Sequence, residues 1–237
     1  MQAASRNDRP VLAIVGAGRG MGLEIARVFG RKGFSVALMS RNLGNVTTLA
    51  EQLEREGIQA KPFVCDVRDR PTIISGLARV KAEMGDILIL EYSPSDPSMT
   101  RTGPLQVTEA CAQAQFDFYV HGCIAAVQCV LPGMLERKRG TILVTSGASP
   151  TFPSGVFSDV SMAAAALRSW TLNLHQAAAP HGVQVAHIEI NATLGQMGIS
   201  AADVAPLYIR AHEDHSVSDL VFTPPTLPNP PSLRTPV

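Results

Sequence analysis

The stretch VLAIV-GAGRGMG-LEIARVFGR, residues 11–31, decides the fold. Val11–Val15 is a short apolar run with β-branched residues, the pattern of a strand buried on both faces. Met21–Arg31 places Leu23, Ala26, Val28 and Phe29 on one side at helical spacing. Between them lie Gly16, Gly18, Gly20 and Gly22. Glycines let a chain turn sharply and bring its backbone close to a pyrophosphate, whose charge the helix N-terminus then stabilises. The common spacing G-x-G-x-x-G fails at Met21. What fits is G-x-x-x-G-x-G, with Gly16, Gly20 and Gly22 in the fixed positions and Gly18, Arg19 and Met21 completing the loop.

Outward from this unit the same alternation continues. Strands are expected at Phe34–Met39, Lys61–Cys65, Ile87–Glu91, Thr141–Thr145 and Val183–Ile190. Helices are expected at Val46–Arg55, Pro71–Met84, Gln113–Arg137 (one long helix or two in sequence) and Ser161–Ala179. Apolar strands alternating with helices imply an α/β fold: a single doubly wound, Rossmann-like parallel sheet with helices on both faces. Ligands of such sheets bind beyond the carboxyl ends of the strands. The domain is expected over residues 10–222. Residues 1–9 are polar and expected to fray. Residues 223–237 hold six prolines and read as an extended or disordered tail.

Composition narrows the function classes. The length of 237 residues favours one large domain over two. Twenty Lys and Arg balance twenty Asp and Glu, which argues against a nucleic-acid binder and against an anionic membrane surface. The apolar runs fall short of the roughly 20 residues that span a bilayer. The N-terminus lacks the pattern of a signal peptide, so a cytoplasmic location is expected. Cys65, Cys111, Cys123 and Cys129 show no C-x-x-C or zinc-site spacing and read as free thiols, so no metal is expected.

The second strand ends in Ser40-Arg41. A carboxylate there would hold the ribose hydroxyl of NAD, whereas an arginine suits the 2′-phosphate of NADP. Arg19 can reach the same phosphate from the glycine loop, and two guanidiniums give charge-assisted contacts to one dianion. Asp66-Val67 closes the third strand, placed to meet an adenine edge. NADP(H) is therefore the expected cofactor.

These residues, with Leu131-Pro-Gly-Met134, Gly140-Thr-Ile-Leu-Val-Thr-Ser146 and Ala165-Ala-Leu-Arg168, resemble the short-chain dehydrogenase/reductase family over roughly residues 10–222. The resemblance implies dimers or tetramers assembled through two long helices, here Gln113–Arg137 and Ser161–Ala179. It also implies hydride transfer assisted by an Asn, a Ser, a Tyr and a Lys. Those positions hold Tyr119, Gly147, Val160 and Ala164 here, with Ser146 one step before the serine position. The family's Asn-Asn-Ala-Gly is Leu90-Glu91-Tyr92-Ser93, and its Pro-Gly after the sixth strand is Asn191-Ala192-Thr193. Departures therefore concentrate at the nicotinamide end, while the phosphate end keeps the family pattern.

A positioned acid or base contributes about 10²–10⁴ in rate, so ordinary ketone reduction would be slow without the Tyr and Lys. One reading is hydride transfer to a small molecule already activated, such as an iminium ion, which needs positioning but no proton. A replacement acid would be Tyr119, with Ser146 and Glu91 as further catalytic candidates. His121 is expected to point elsewhere, and Tyr92 and Asp159 lie at or beside carboxyl ends. A second reading is a non-redox cyclase or isomerase with a pocket lined by Phe152, Val160, Met162 and Met197. A third is a non-catalytic NADP-binding subunit. Ile199–His212 reads as a short helix over the substrate, interrupted by Pro206.

Overall fold

The computed structural model describes residues 9–153, 155–196 and 198–224. The expectations for residues 1–8, for Met197 and for the proline-rich segment from 225 onward lie outside those residues.

Seven strands form one sheet in the order β3-β2-β1-β4-β5-β6-β7, every neighbouring pair parallel. They are β1 Val11–Val15, β2 Ser35–Ser40, β3 Ala60–Val64, β4 Ile87–Tyr92, β5 Gly140–Gly147, β6 Val183–Ile190 and β7 Asp219–Phe222. The helices are α1 Met21–Arg31, α2 Leu43–Arg55, α3 Arg70–Met84, α4 Glu109–Phe116, α5 Gly122–Glu136, α6 Ser158–Ala178, α7 Ala201–Val204 and α8 Pro206–Glu213. The chain reverses direction across the sheet between β1 and β4, and that switch point opens the crevice in which such folds hold ligands.

Strand alternation divides the core into two layers. Val11, Ala13, Val15, Ile142, Val144, Val183 and Val185 face α3, α5 and α6. Leu12, Ile14, Leu143, Ala186 and Ile188 face α1, α2 and α8. In α1 the buried stripe is Leu23, Ile25, Ala26 and Phe29, with Val28 only partly covered. α2 begins three residues before its apolar periodicity, because Asn42 caps it by accepting a hydrogen bond from Asn45 N at 3.1 Å.

The long helical segment takes the second of its two expected forms, beginning at Glu109: two helices in sequence, α4 and α5, joined by a π-helical turn at Asp117–His121. The helical run Glu109–Glu136 is 28 residues with a mean hydropathy of 1.5 in its most apolar window, so by length and composition alone it could cross a bilayer. Half of that window is buried inside this fold. The segment Ile199–His212 is helical and interrupted at Pro206, as expected: α7 ends at Val204 and α8 starts at Pro206, with Tyr208 and Ala211 fully buried. β7 escaped the sequence reading because only four residues carry it.

Candidate functional site

The glycine turn sits at the switch point. Gly16 has φ +92°, a left-handed conformation that favours glycine, and a Cβ there would run into the Pro94 backbone that follows β4. Gly16 N and Ala17 N both donate to Met39 O at 2.9 Å, tying the turn to β2. Gly18 and Gly20 are different. A Cβ at either would meet nothing within 4 Å, so the space above them is open. Gly20 precedes α1 as its N-cap with no side-chain hydrogen bond; in the first turn Leu23 N donates to Gly18 O at 3.0 Å, which closes the glycine turn onto the helix start. An open turn beneath an uncapped helix of 11 residues fits a pyrophosphate group.

Ser40 and Arg41 close β2 beside this turn, and Asp66 and Val67 follow β3. Asp66 accepts a hydrogen bond from Arg68 N at 3.0 Å, and its own N–H is held by Thr72 Oγ1. Arg41 is already engaged. Its Nη1 lies 2.7 Å from Asp96 Oδ2, and Arg68 Nη2 reaches the same oxygen at 2.6 Å. Ser98 N and Oγ donate to the other oxygen at 3.0 and 2.6 Å. The Asp96 side chain is only 2% exposed. The hydrogen bond from Arg41 is the largest influence on its carboxyl, followed by that from Ser98, and together they hold its pKa well below the usual carboxylate range. Arg19 is exposed in the glycine loop.

The three catalytic candidates do not share one face of the sheet. Ser146 faces the α6 layer. Glu91 faces the opposite layer and has no exposed surface. Ser93 Oγ and Thr145 Oγ1 donate to its two oxygens at 2.8 and 2.9 Å, and Thr145 Oγ1 also lies 2.8 Å from Tyr208 OH. Burial pushes the Glu91 carboxyl up to about 8, against the two hydrogen bonds that lower it. Tyr119 sits in the π-helical turn, partly buried, its ring edge-on to Phe118 at 4.9 Å. Burial raises its phenol above the ordinary value.

Tyr92 and Asp159 are not ligand-facing groups. Tyr92 is fully buried and donates to Phe118 O at 2.6 Å, holding the π-helical turn. Asp159 is buried and accepts from Thr102 N, Gln115 Nε2 and Val160 N. His121 is exposed and pairs with Asp117 at 2.8 Å. Gly147 is exposed, Val160 is half-buried and Ala164 is buried, so neither α6 position carries an ionisable group. Phe152 is half-buried and Met162 is exposed.

The structure adds a relay the sequence reading missed. Ser146 Oγ lies 2.9 Å from His187 Nε2, and His187 Nδ1 lies 3.0 Å from Asp219 Oδ1. Arg168 forms an ion pair with the same Asp219. Glu189, the cross-strand partner of Ser146, is buried; Thr151 Oγ1 donates to one of its oxygens at 2.9 Å, and the other has no hydrogen-bond partner among the described residues. Burial raises its pKa. Only strand pairing brings these groups together, so no local motif announces them.

Surface cavities lie at two places relevant to these elements. One of about 300 Å³ is lined by Val67, Arg68, Arg70, Asp117 and His121, among others. The other, of about 290 Å³, is lined by Gly198, Ile199, Asp203, Phe222 and Pro224. No group of three metal-ligating side chains occurs among the described residues.

The short chain dehydrogenase family model matches residues 10–204, and the chain belongs to that family. A very-long-chain 3-oxoacyl-CoA reductase of Aspergillus clavatus is 26% identical over 184 residues, covering 73% of this chain and 50% of its own. A short chain dehydrogenase of Pseudocercospora fijiensis is 26% identical over 195 residues, covering 81% of this chain and 62% of its own. The chain thus spans about half to three-fifths of these relatives' length. Among solved structures, an actinorhodin polyketide ketoreductase with NADPH superposes with a TM-score of 0.83 at 19% identity, covering 91% of this chain and 95% of that one. A 3-oxoacyl-[acyl-carrier protein] reductase of Brucella melitensis with bound NAD gives 0.78 at 19% identity, covering 91% and 90%. Both likenesses concern the fold.

Proposed function

We propose that this protein binds NADP(H) over the Gly16–Gly22 turn and reduces a small molecule that is already activated, an iminium ion or a polarised carbonyl. The observation that carries this reading is the open glycine turn beneath the uncapped N-terminus of α1. Reductases among the relatives and neighbours, one of them with NADPH, support the direction of the chemistry. The cofactor would supply the hydride. Gly18, Gly20, Met21 and Gly22 would hold its pyrophosphate through backbone N–H groups, and Arg41 and Arg19 its 2′-phosphate.

The protein's own contribution is then orientation and exclusion of water. Val160 and Ala164 present hydrocarbon where the family carries its acid and its cation. A cationic acceptor needs no proton, so that hydrocarbon costs it nothing. A carbonyl does need one, and Tyr119 would donate it from the π-helical turn. We further propose that the chain assembles as a homodimer or homotetramer through α4, α5 and α6 and works in the cytoplasm.

The test is calorimetric titration with NADPH, NADP and NADH, followed by NADPH consumption across a panel of cyclic imines and carbonyls. Preferred NADP(H) binding and turnover of imines support the reading. Tyr119→Phe should then spare imines and slow carbonyls by about 10²–10⁴. Binding without turnover of any acceptor would favour a cyclase, an isomerase or a binding subunit. No binding of any nucleotide would overturn it.

A further inference from the structure

Arg41 and Arg68 close the two strands that flank the adenine end of the proposed nucleotide site. Arg41 ends the β2 segment, where folds of this kind select the group on the adenine ribose. Arg68 directly follows Asp66-Val67, which is placed against the adenine edge. Yet both guanidiniums point to a single oxygen, Asp96 Oδ2, at 2.7 and 2.6 Å. Asp96 comes from a third element, the loop after β4 that also presses Pro94 against Gly16. The carboxylate therefore bridges the two sides of the adenine end.

Its own environment is complete. Two charged donors fill one oxygen, and Ser98 N and Oγ fill the other. The two guanidiniums remain about half exposed, 48% for Arg41 and 41% for Arg68, while the carboxylate is 2% exposed. An anion arriving from solvent meets two arginines already sharing an internal anion. Arg68 is also stacked over the Phe118 ring at 5.1 Å, which fixes it on the adenine side. Arg41 makes no such ring contact among the described residues, although the nearby Asp66 carboxylate also attracts it, so it is the arm freer to turn to a ligand.

We propose that Asp96 is an internal competitor for the ribose 2′-phosphate: its carboxylate occupies Arg41 and lowers the affinity for NADP(H) relative to NAD(H). The proposal rests on the nucleotide reading above and adds a specificity-determining residue to it. Binding of the 2′-phosphate dianion exchanges one charge-assisted contact for another, so the arginine brings less selectivity than its position suggests. Arg68 tempers the competition by holding a share of the same oxygen.

The experiment measures Kd for NADPH and NADH by calorimetry in the full chain, in Asp96→Asn, in Arg41→Ala and in the double variant. Asp96→Asn should bind NADPH about tenfold tighter or more, the equivalent of one freed charge-assisted hydrogen bond. Its affinity for NADH should hold, and the gain should vanish when Arg41 is also removed. Arg68→Gln, a change at a half-exposed side chain, gives an independent readout that survives if Asp96→Asn folds poorly. It should leave Asp96 wholly on Arg41 and weaken NADPH without altering NADH. Unchanged or weaker NADPH binding in a folded Asp96→Asn would overturn the proposal, as would tighter NADPH binding in Arg68→Gln. Absence of binding for both nucleotides in every form would instead overturn the nucleotide reading itself, and the proposal with it.

Discussion

His187 Nε2 lies 2.9 Å from the hydroxyl oxygen of Ser146, across the β5–β6 pair. An ionised Asp219 only accepts hydrogen bonds, so His187 Nδ1 donates to it, while Ser146 Oγ lies between His187 Nε2 and Gly147 O, the latter at 3.0 Å. Burial alone would raise the Asp219 pKa, but the hydrogen bonds from His187 and Arg168 outweigh it and hold it below the ordinary value.

A lowered carboxyl contributes stability that is present above its unfolded pKa and lost as pH falls through the folded one. The protein should therefore lose stability as pH drops below about 4. In His187→Leu one of the two bonds that depress Asp219 is gone, so less remains to be lost in that range. The same variant should be less stable at neutral pH by about 1–3 kcal/mol, the cost of leaving buried partners unpaired. Urea unfolding at neutral and acid pH checks both, and an unchanged acid limb in His187→Leu would contradict the linkage.

Gly122 and Tyr92 are fitted to each other. A Cβ at Gly122 would stand 2.5 Å from the Tyr92 hydroxyl and 2.7 Å from Val67 O. That hydroxyl is itself fixed by its bond to Phe118 O. Gly122→Ala should destabilise by about 1–3 kcal/mol, the usual range for overpacking a filled core. In a Tyr92→Phe background the penalty should shrink without disappearing, because the Val67 carbonyl remains. Additive costs in the double variant would show that the two positions are not coupled.

The fold was legible in the sequence because its signals are local. Val11–Val15, the glycines and the Leu23–Phe29 stripe lie within one strand–turn–helix unit. The polar chain around Ser146 was not legible for the opposite reason. Ser146 meets His187 41 residues later, and His187 meets Asp219 32 residues further on, through register between parallel strands. Arg41 could be read as a phosphate ligand from its place after β2. Its partner Asp96, 55 residues away on a loop with no periodicity, could not. Tyr92 ends β4 as expected, but its side chain turns inward rather than to a ligand, because α5 offers it the space beside Gly122, which nothing in the sequence shows.

Glu91 carries a pH signature of the opposite sign. Burial lifts its carboxyl from the ordinary 4.5 to about 8. Between those values the unfolded chain is ionised there while the folded protein keeps the proton. Stability should therefore fall as pH rises through that window and level off above about pH 8 as far as this group is concerned. Glu91→Gln removes the titration and keeps a group able to accept from Ser93 or Thr145, so its stability should lack that component of the slope. Urea midpoints at several pH values across the window provide the comparison. Parallel profiles for the two proteins would show that Glu91 is ionised in the folded state throughout.

Gly16 and Gly18 should separate folding from binding within three residues of chain. Gly16 combines a φ of +92° with the Pro94 backbone against its Cβ position, so Gly16→Ala should destabilise the fold by about 1–3 kcal/mol. Gly18 has no left-handed φ and open space where a Cβ would go, so Gly18→Ala should leave the urea midpoint nearly unchanged. That open space is where a pyrophosphate would approach the backbone. A methyl group there should weaken NADPH by about tenfold or more, through loss of close backbone hydrogen bonds to a charged group. Calorimetry on the folded Gly18→Ala protein checks this. Full affinity with the methyl in place would mean that the nucleotide, if bound, does not lie on this turn, and would remove the main support for the proposed cofactor site.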